Sequence, residues 1–173
     1  EFIMKTLDII ESIVKKLKKD PKYQIDRKYC IRELFSITLI RGIQILRGFY
    51  RKIFIKKSKG IIFCGKRVKI EYGYLIRTGS SLILEDNVTL IALSEKGILL
   101  GNNVTIAKNS ILQCTGVIAN KGVGIEIGNN SAIGAQSYLG GQGGIRIGND
   151  VIMGPGVRIF SENHNYSDPD IPI

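Results

Sequence analysis

The spacing of apolar residues changes once along this chain, at about residue 60. Before that point they recur at intervals of three and four. In "MKTLDIIESIVKKLKKD" (4–20), Leu7, Ile10, Ile13, Val14 and Leu17 mark one stripe of an amphipathic helix whose other face is lysine-rich. Pro21 follows and stops it. The next segment, "CIRELFSITLIRGIQILRGFYRKIFIKK" (30–57), predicts a longer and more apolar helix, with Arg41, Arg47 and Arg51 returning at about helical intervals. Such a helix either covers the neighbouring domain or lies on an anionic membrane surface with its arginines reaching for the headgroups.

Beyond Gly60 four stretches repeat one grammar: "LILEDNV" (82–88), "ILLGNNV" (98–104), "IEIGNNS" (125–131) and "IRIGNDV" (145–151). Six residues after Leu84, Leu100, Ile127 and Ile147 come Leu90, Ile106, Ile133 and Met153, again apolar. This is a tandem hexapeptide repeat. A six-residue unit with one inward aliphatic, a small neighbour and a polar turn forms one flat side of a triangular coil. Three units close a coil, and stacked coils pair their strands in parallel. The turns need φ > 0, which explains the Asn and Gly at the corners.

The expected architecture is therefore mainly β. A left-handed parallel β-helix over 58–173 follows a basic amphipathic helical leader over 1–57. A β-sandwich of short strands is the rival, and it does not account for aliphatics recurring at six.

The four repeat starts lie 16, 27 and 20 residues apart, against about 18 for an uninterrupted coil of three hexads. The longest gap predicts a loop within "CTGVIANKGVG" (114–124), and "YLGGQGG" (138–144) reads as a second, shorter excursion. Excursions from one face of a solenoid commonly build its binding site.

Composition narrows the possibilities. With 173 residues the chain holds one domain plus an appendage. Its net charge of +10 is uneven: residues 1–67 carry 18 Lys/Arg against 6 Asp/Glu, and the remainder 7 against 9. The basicity belongs to the leader. No aromatic platform or binding motif accompanies it, which argues against nucleic acid. Cys30, Cys64 and Cys114 stand outside any CxxC spacing and fit a reducing, cytoplasmic setting better than disulfides or zinc. Glu1 to Ile3 precede a plausible initiator, Met4, and read as a cloning remnant. No run of about 18 uncharged apolar residues is available to span a bilayer.

The last coil carries a resemblance. "IRIGNDVIMGPGVRIFSENHNYSDPDIPI" (145–173) resembles the active-site coil of hexapeptide-repeat acyltransferases, in the galactoside and maltose acetyltransferase branch. It is most similar to bacterial capsule and exopolysaccharide O-acetyltransferases. The likeness rests on the hexad, the "MGPGVRIF" step, His164 after it and the DP-x-x-P segment from Asp168 to Pro172. The basic leader also resembles that of polysaccharide-type members.

That resemblance implies an O-acetyltransferase taking acetyl-CoA as donor and a saccharide as acceptor, assembled as a homotrimer. It makes His164, the chain's one histidine, the general base. The chemistry agrees: an unactivated hydroxyl must lose its proton as it attacks a thioester, and a near-neutral imidazole accepts it. Glu162, Asp168 and Asp170 are the carboxylates available to hold the other ring nitrogen, Glu162 being nearest in sequence. Asn163, Asn165, Gln136, Ser137, Gln142, Tyr138 and Asp168 are candidates for acceptor binding. Turn formation explains the two Asn residues equally, and rim packing explains Tyr138 and Tyr166.

No metal is expected. The γ-carbonic anhydrase use of this fold requires three zinc-binding histidines. Relatives continue past DP-x-x-P with further coils that carry much of the coenzyme groove, so a chain stopping at Ile173 is expected to be inactive or weak. Two other readings remain at this point: N-acetylation of an amino sugar, and a non-catalytic scaffold docked on a membrane. The expected location is the cytoplasm, with peripheral contact at the inner face of the membrane through residues 1–57.

Overall fold

The computed structural model describes residues 2–18 and 21–163. Two helices come first, α1 (Phe2–Lys18) and α2 (Ile31–Lys52). Leu7, on the stripe read from sequence, is fully buried. One turn on, Glu11 ties down the segment that follows the helix. Its carboxylate meets Lys15 at 2.8 Å and Arg27 at 3.0 Å, and accepts the Ile25 N–H at 3.1 Å. The hydrogen bonds from Lys15 and Ile25, helped by the two cations, hold its carboxyl below the ordinary carboxylate range.

The rest of the chain is a parallel β-solenoid of about five turns. The first turn holds β1 (Lys57–Ser58), β2 (Ile62–Cys64) and β3 (Lys69–Glu71), closed by a 3-10 turn at Gly73–Leu75. The second holds β4 (Ile76–Thr78), β5 (Leu82–Leu84) and β6 (Thr89–Ile91). The third holds β7 (Ile98–Leu100), β8 (Thr105–Ile106) and β9 (Ile111–Gln113). Then come β10 (Ile125–Ile127), β11 (Ala132–Ile133) and β12 (Tyr138–Gly140), and lastly β13 (Ile145–Ile147) and β14 (Arg158–Phe160). In the last turn Ile152 makes a single bridge to Ala132 in place of a second strand.

These strands stack into three sheets, one per side: β1-β4-β7-β10-β13, β2-β5-β8-β11 and β3-β6-β9-β12-β14. Every pairing between these strands is parallel, which rules out the sandwich. The core is one aliphatic column inside the triangle. Leu84, Leu90, Ile106, Leu112, Ile133 and Leu139 are fully buried there, each contributing on the order of 1.5–3 kcal/mol by burial.

The register corrects the repeat phase. Lys57 pairs with Arg77, Ile76 with Ile98, Ile98 with Ile125 and Ile125 with Ile145, so successive turns advance by 20, 22, 27 and 20 residues. Leu84 stacks between Cys64 and Ile106 on the second side, whereas Leu100 stacks between Thr78 and Ile127 on the first. The apparent 16-residue interval thus compared two different sides. Within a turn the six-residue step is kept, as from Leu100 to Ile106 to Leu112. All surplus residues therefore lodge at the corner between the third side and the next first side. The excursion expected at 114–124 is there, lying between β9 and β10. The shorter one is confined to Gly141–Gly144, because Tyr138 to Gly140 are strand.

The other two corners are tight and repeat their geometry. Ser81, Asn103, Asn130 and Asp150 have positive φ at one, and Arg67, Asn87, Asn109 and Gln136 at the other. Most are Asn or Asp, whose short polar side chains tolerate that region best. Side chains also run up the stack. Asn102 Oδ1 accepts the Ser80 N–H, Asn129 Oδ1 that of Asn102, and Asn149 Oδ1 that of Asn129.

The α2 helix closes the N-terminal end. Ile61 O accepts from Leu82 and the Gly65 N–H donates to Leu84, so the Ile62 carbonyl between them faces away from β5. Gly48 of α2 sits against that carbonyl so closely that a Cβ would overlap it. An open strand edge is thereby covered, which removes a template for pairing with another chain.

Candidate functional site

The irregular corner carries polar groups from the second turn to the last. In the second turn Ser94 donates its hydroxyl to Ala92 O and accepts the Gly97 N–H. One turn up, Thr115 donates its hydroxyl to Leu93 O and accepts the Gly122 N–H, pinching together the ends of the long excursion. Gln142, one turn further, reaches back. Its Oε1 accepts the Gly116 N–H at 3.0 Å and its Nε2 donates to Asn120 O at 2.7 Å. At the top, Ser161 Oγ donates to Gly140 O at 2.7 Å and accepts the Gly143 N–H at 2.9 Å.

The corner is therefore a stapled column. Ser161, Glu162 and Asn163 follow β14 directly, with Glu162 and Asn163 exposed. The excursion below presents Val117 and Ile118 to solvent, Ile118 almost completely. Against the outer face of the first side lies a groove of about 310 Å³, lined by Lys96, Leu99, Glu126, Gly143 and Arg146 among others. Arg146 Nε stands 3.6 Å from Glu126 Oε2 on that exposed surface.

The expected site residues fall in several places. His164, Asn165, Tyr166, Asp168 and Asp170 lie outside the described residues. Gln142 is nearly buried and both ends of its amide are engaged within the protein, so its observed work is holding the 114–124 excursion. Ser137 is also buried, on the inner side of a tight corner, and its Oγ has no partner among the described residues. Gln136 is exposed at that second corner, which the third side separates from the irregular one. Tyr138 is on the outer face of the third side. Its ring lies over Gly140 and 5.3 Å from the ring of Phe160. Among the described candidates the structure brings only Glu162 and Asn163, beside Gln142, to the irregular corner.

Comparison with protein-family profiles, with curated proteins and with solved structures found no match for this chain.

Three residues with evident roles here escaped the sequence reading. Ser161 and Thr115 close the corner through hydroxyls, and an isolated Ser or Thr in a polar loop gives no local sign of this. Phe160 makes the exposed aromatic pair with Tyr138; its place two residues after Arg158 on an alternating strand was the available signal. Cys114, in contrast, is a plain core residue. Burial pushes its thiol up to about 11, so it stays neutral and unreactive.

Proposed function

We propose that this protein is an acyltransferase of the left-handed hexapeptide-repeat kind, which moves an acetyl group from acetyl-CoA to a saccharide hydroxyl. The observation that carries this reading is the placement of one segment. Ser161, Glu162 and Asn163, which stand immediately before His164 in the sequence, follow β14 at the corner where the surplus residues of the described turns collect.

In this proposal His164 takes the proton of the acceptor hydroxyl as its oxygen attacks the thioester carbonyl carbon. The tetrahedral intermediate then collapses with cleavage of the C–S bond, and His164 returns the proton to the departing thiolate. Glu162 would hold the second imidazole nitrogen and fix the tautomer, and a backbone N–H of a neighbouring coil would meet the oxyanion. Asn163, Asn165 and Asp168 would face the acceptor, and Tyr138 with Phe160 offers an aromatic surface to a sugar ring. Lys96 and Arg146, at the groove beside the corner, support the reading because the donor carries phosphates. A homotrimer inside the cell, with sites between subunits, completes the proposal. N-acetylation of an amino sugar uses the same residues with an amine as nucleophile.

The test is thiol release from acetyl-CoA across a panel of saccharides, using the whole gene product and its His164→Ala variant. The proposal expects turnover that falls by roughly 10²-fold or more when the base is removed. Turnover indifferent to His164 would overturn its role as the base, and no turnover with any saccharide would leave a solenoid scaffold as the better account.

A further inference from the structure

The α2 helix packs one face on the solenoid and leaves the opposite face bare. With Gly48 against Ile62 defining the packed side, helical rotation of about 100° per residue turns Phe35, Leu39, Ile43, Leu46 and Ile53 to within about 40° of the opposite direction. All five are exposed, Leu46 by 74% and Ile53 by 73%, and the adjoining Phe49 by 76%. Arg32, in the first turn, is the one charged residue in that sector. An apolar strip five turns long is well beyond the scattered exposed aliphatics of an ordinary surface.

The charge is arranged around this strip. Arg41, over the Phe63 ring at 5.8 Å, and Lys52, donating to Gly60 O at 3.0 Å, lie toward the solenoid. Between helix and solenoid runs a groove of about 540 Å³ whose charged lining is Arg41, Arg47, Lys66 and Lys108 with Glu85 and Asp86. Both of those carboxylates accept backbone N–H groups, of Lys108 and Lys66 respectively. The order from outside inward is thus apolar strip, then cations, then protein.

We propose that α2 docks this protein on an anionic phospholipid bilayer, lying in the plane of the interface with the strip in the acyl boundary. The flanking Arg and Lys side chains then stand at headgroup depth, where each contributes to binding an acidic surface. No described helix is long and apolar enough to cross a membrane, so the helix lies on the bilayer. Charge selects this occupant over a second copy of the chain. Two leaders brought face to face would each carry the excess of 18 basic over 6 acidic residues counted in 1–67, and like charges so close oppose association. This inference does not rest on acetyl transfer.

Flotation of the full chain with vesicles tests it, comparing phosphatidylcholine containing phosphatidylglycerol with phosphatidylcholine alone. The wild type is expected to float with the acidic vesicles and to be released as salt is raised. The double variant Leu46→Asp/Phe49→Asp is expected to lose at least about tenfold in partitioning with its thermal melt unchanged, since both side chains are exposed in solution. Should that variant melt early, Phe35→Asp reads the same strip near the other end of the helix. Equal flotation with neutral vesicles, or flotation indifferent to all these changes, overturns the proposal. So does a wild type that ignores vesicles but forms a concentration-dependent oligomer abolished by the same substitutions, which would give the strip to a second copy.

Discussion

The solenoid interior and the outer face of α2 are built from the same residues and meet opposite ends. Leu90, Ile106, Leu112 and Leu139 are fully enclosed, while Leu46 and Phe49 stand about three-quarters exposed. The difference is one of architecture. Each coil meets another coil above or below, so an inward aliphatic finds its partner in the repeat itself. A single helix laid against the end of the stack has only one side to pack. Its remaining apolar side chains need a surface from outside the chain, or water.

The sharpest way to break this comparison is to truncate one leucine from each region. Leu112→Ala opens a cavity in the middle of the column and should cost about 2–5 kcal/mol in denaturant unfolding. Leu46→Ala should stay within about 0.5 kcal/mol of wild type. A comparable loss in both would mean that the helix face is covered in solution.

The junction between the two regions comes next. In Gly48→Val the new side chain collides with the Ile62 carbonyl, a steric cost of roughly 1–3 kcal/mol. Hydrogen exchange should accelerate across α2 while β7 to β12 keep their protection. Acceleration throughout would show that the helix and the solenoid fold as one inseparable unit.

Smaller effects separate corner from core. Asn129→Ala leaves the Asn102 N–H without its acceptor and should cost about 1 kcal/mol by thermal melting. Thiol labelling of the native protein should modify exposed Cys30 rapidly and spare buried Cys64 and Cys114. Burial raises the Cys114 thiol to about 11, so its stabilising effect is complete below the ordinary thiol range and fades as pH climbs toward that value. Cys114→Ala should flatten that alkaline loss.

The smallest change belongs to the leader. The lowered carboxyl of Glu11 stabilises the docking of residues 21–30 at neutral pH, and this is lost as pH falls through and below the ordinary carboxylate range. Glu11→Gln should remove that acid dependence from the exchange rates of α1 without touching those of the solenoid.

Much of the fold was legible because the hexad states its own physics: an inward aliphatic, a small residue, a corner that tolerates positive φ. Its phase was not legible. "LILEDNV" and "ILLGNNV" obey the same rule on different sides of the triangle, so nothing local distinguishes them. Gln142 shows a second limit. Its neighbours are glycines and it reads as an exposed polar residue, yet its partners Gly116 and Asn120 lie more than 20 residues away. The excess of apolar residues around α2 was visible in the sequence, but only the contact of Gly48 with Ile62 divides them into a packed face and a bare one. For the proposed site, the sequence supplied the histidine, which lies outside the described residues, and the structure supplied the corner occupied by Glu162 and Asn163 just before it.

One measurement bears on the central claim, that chemistry belongs to the corner and docking to the helix. Acetyl-CoA thiol release is followed with soluble saccharides for the whole gene product as wild type, His164→Ala and Leu46→Asp/Phe49→Asp. The account predicts turnover that is lost with His164 and retained when the helix face is altered. Turnover that survives His164→Ala would contradict it.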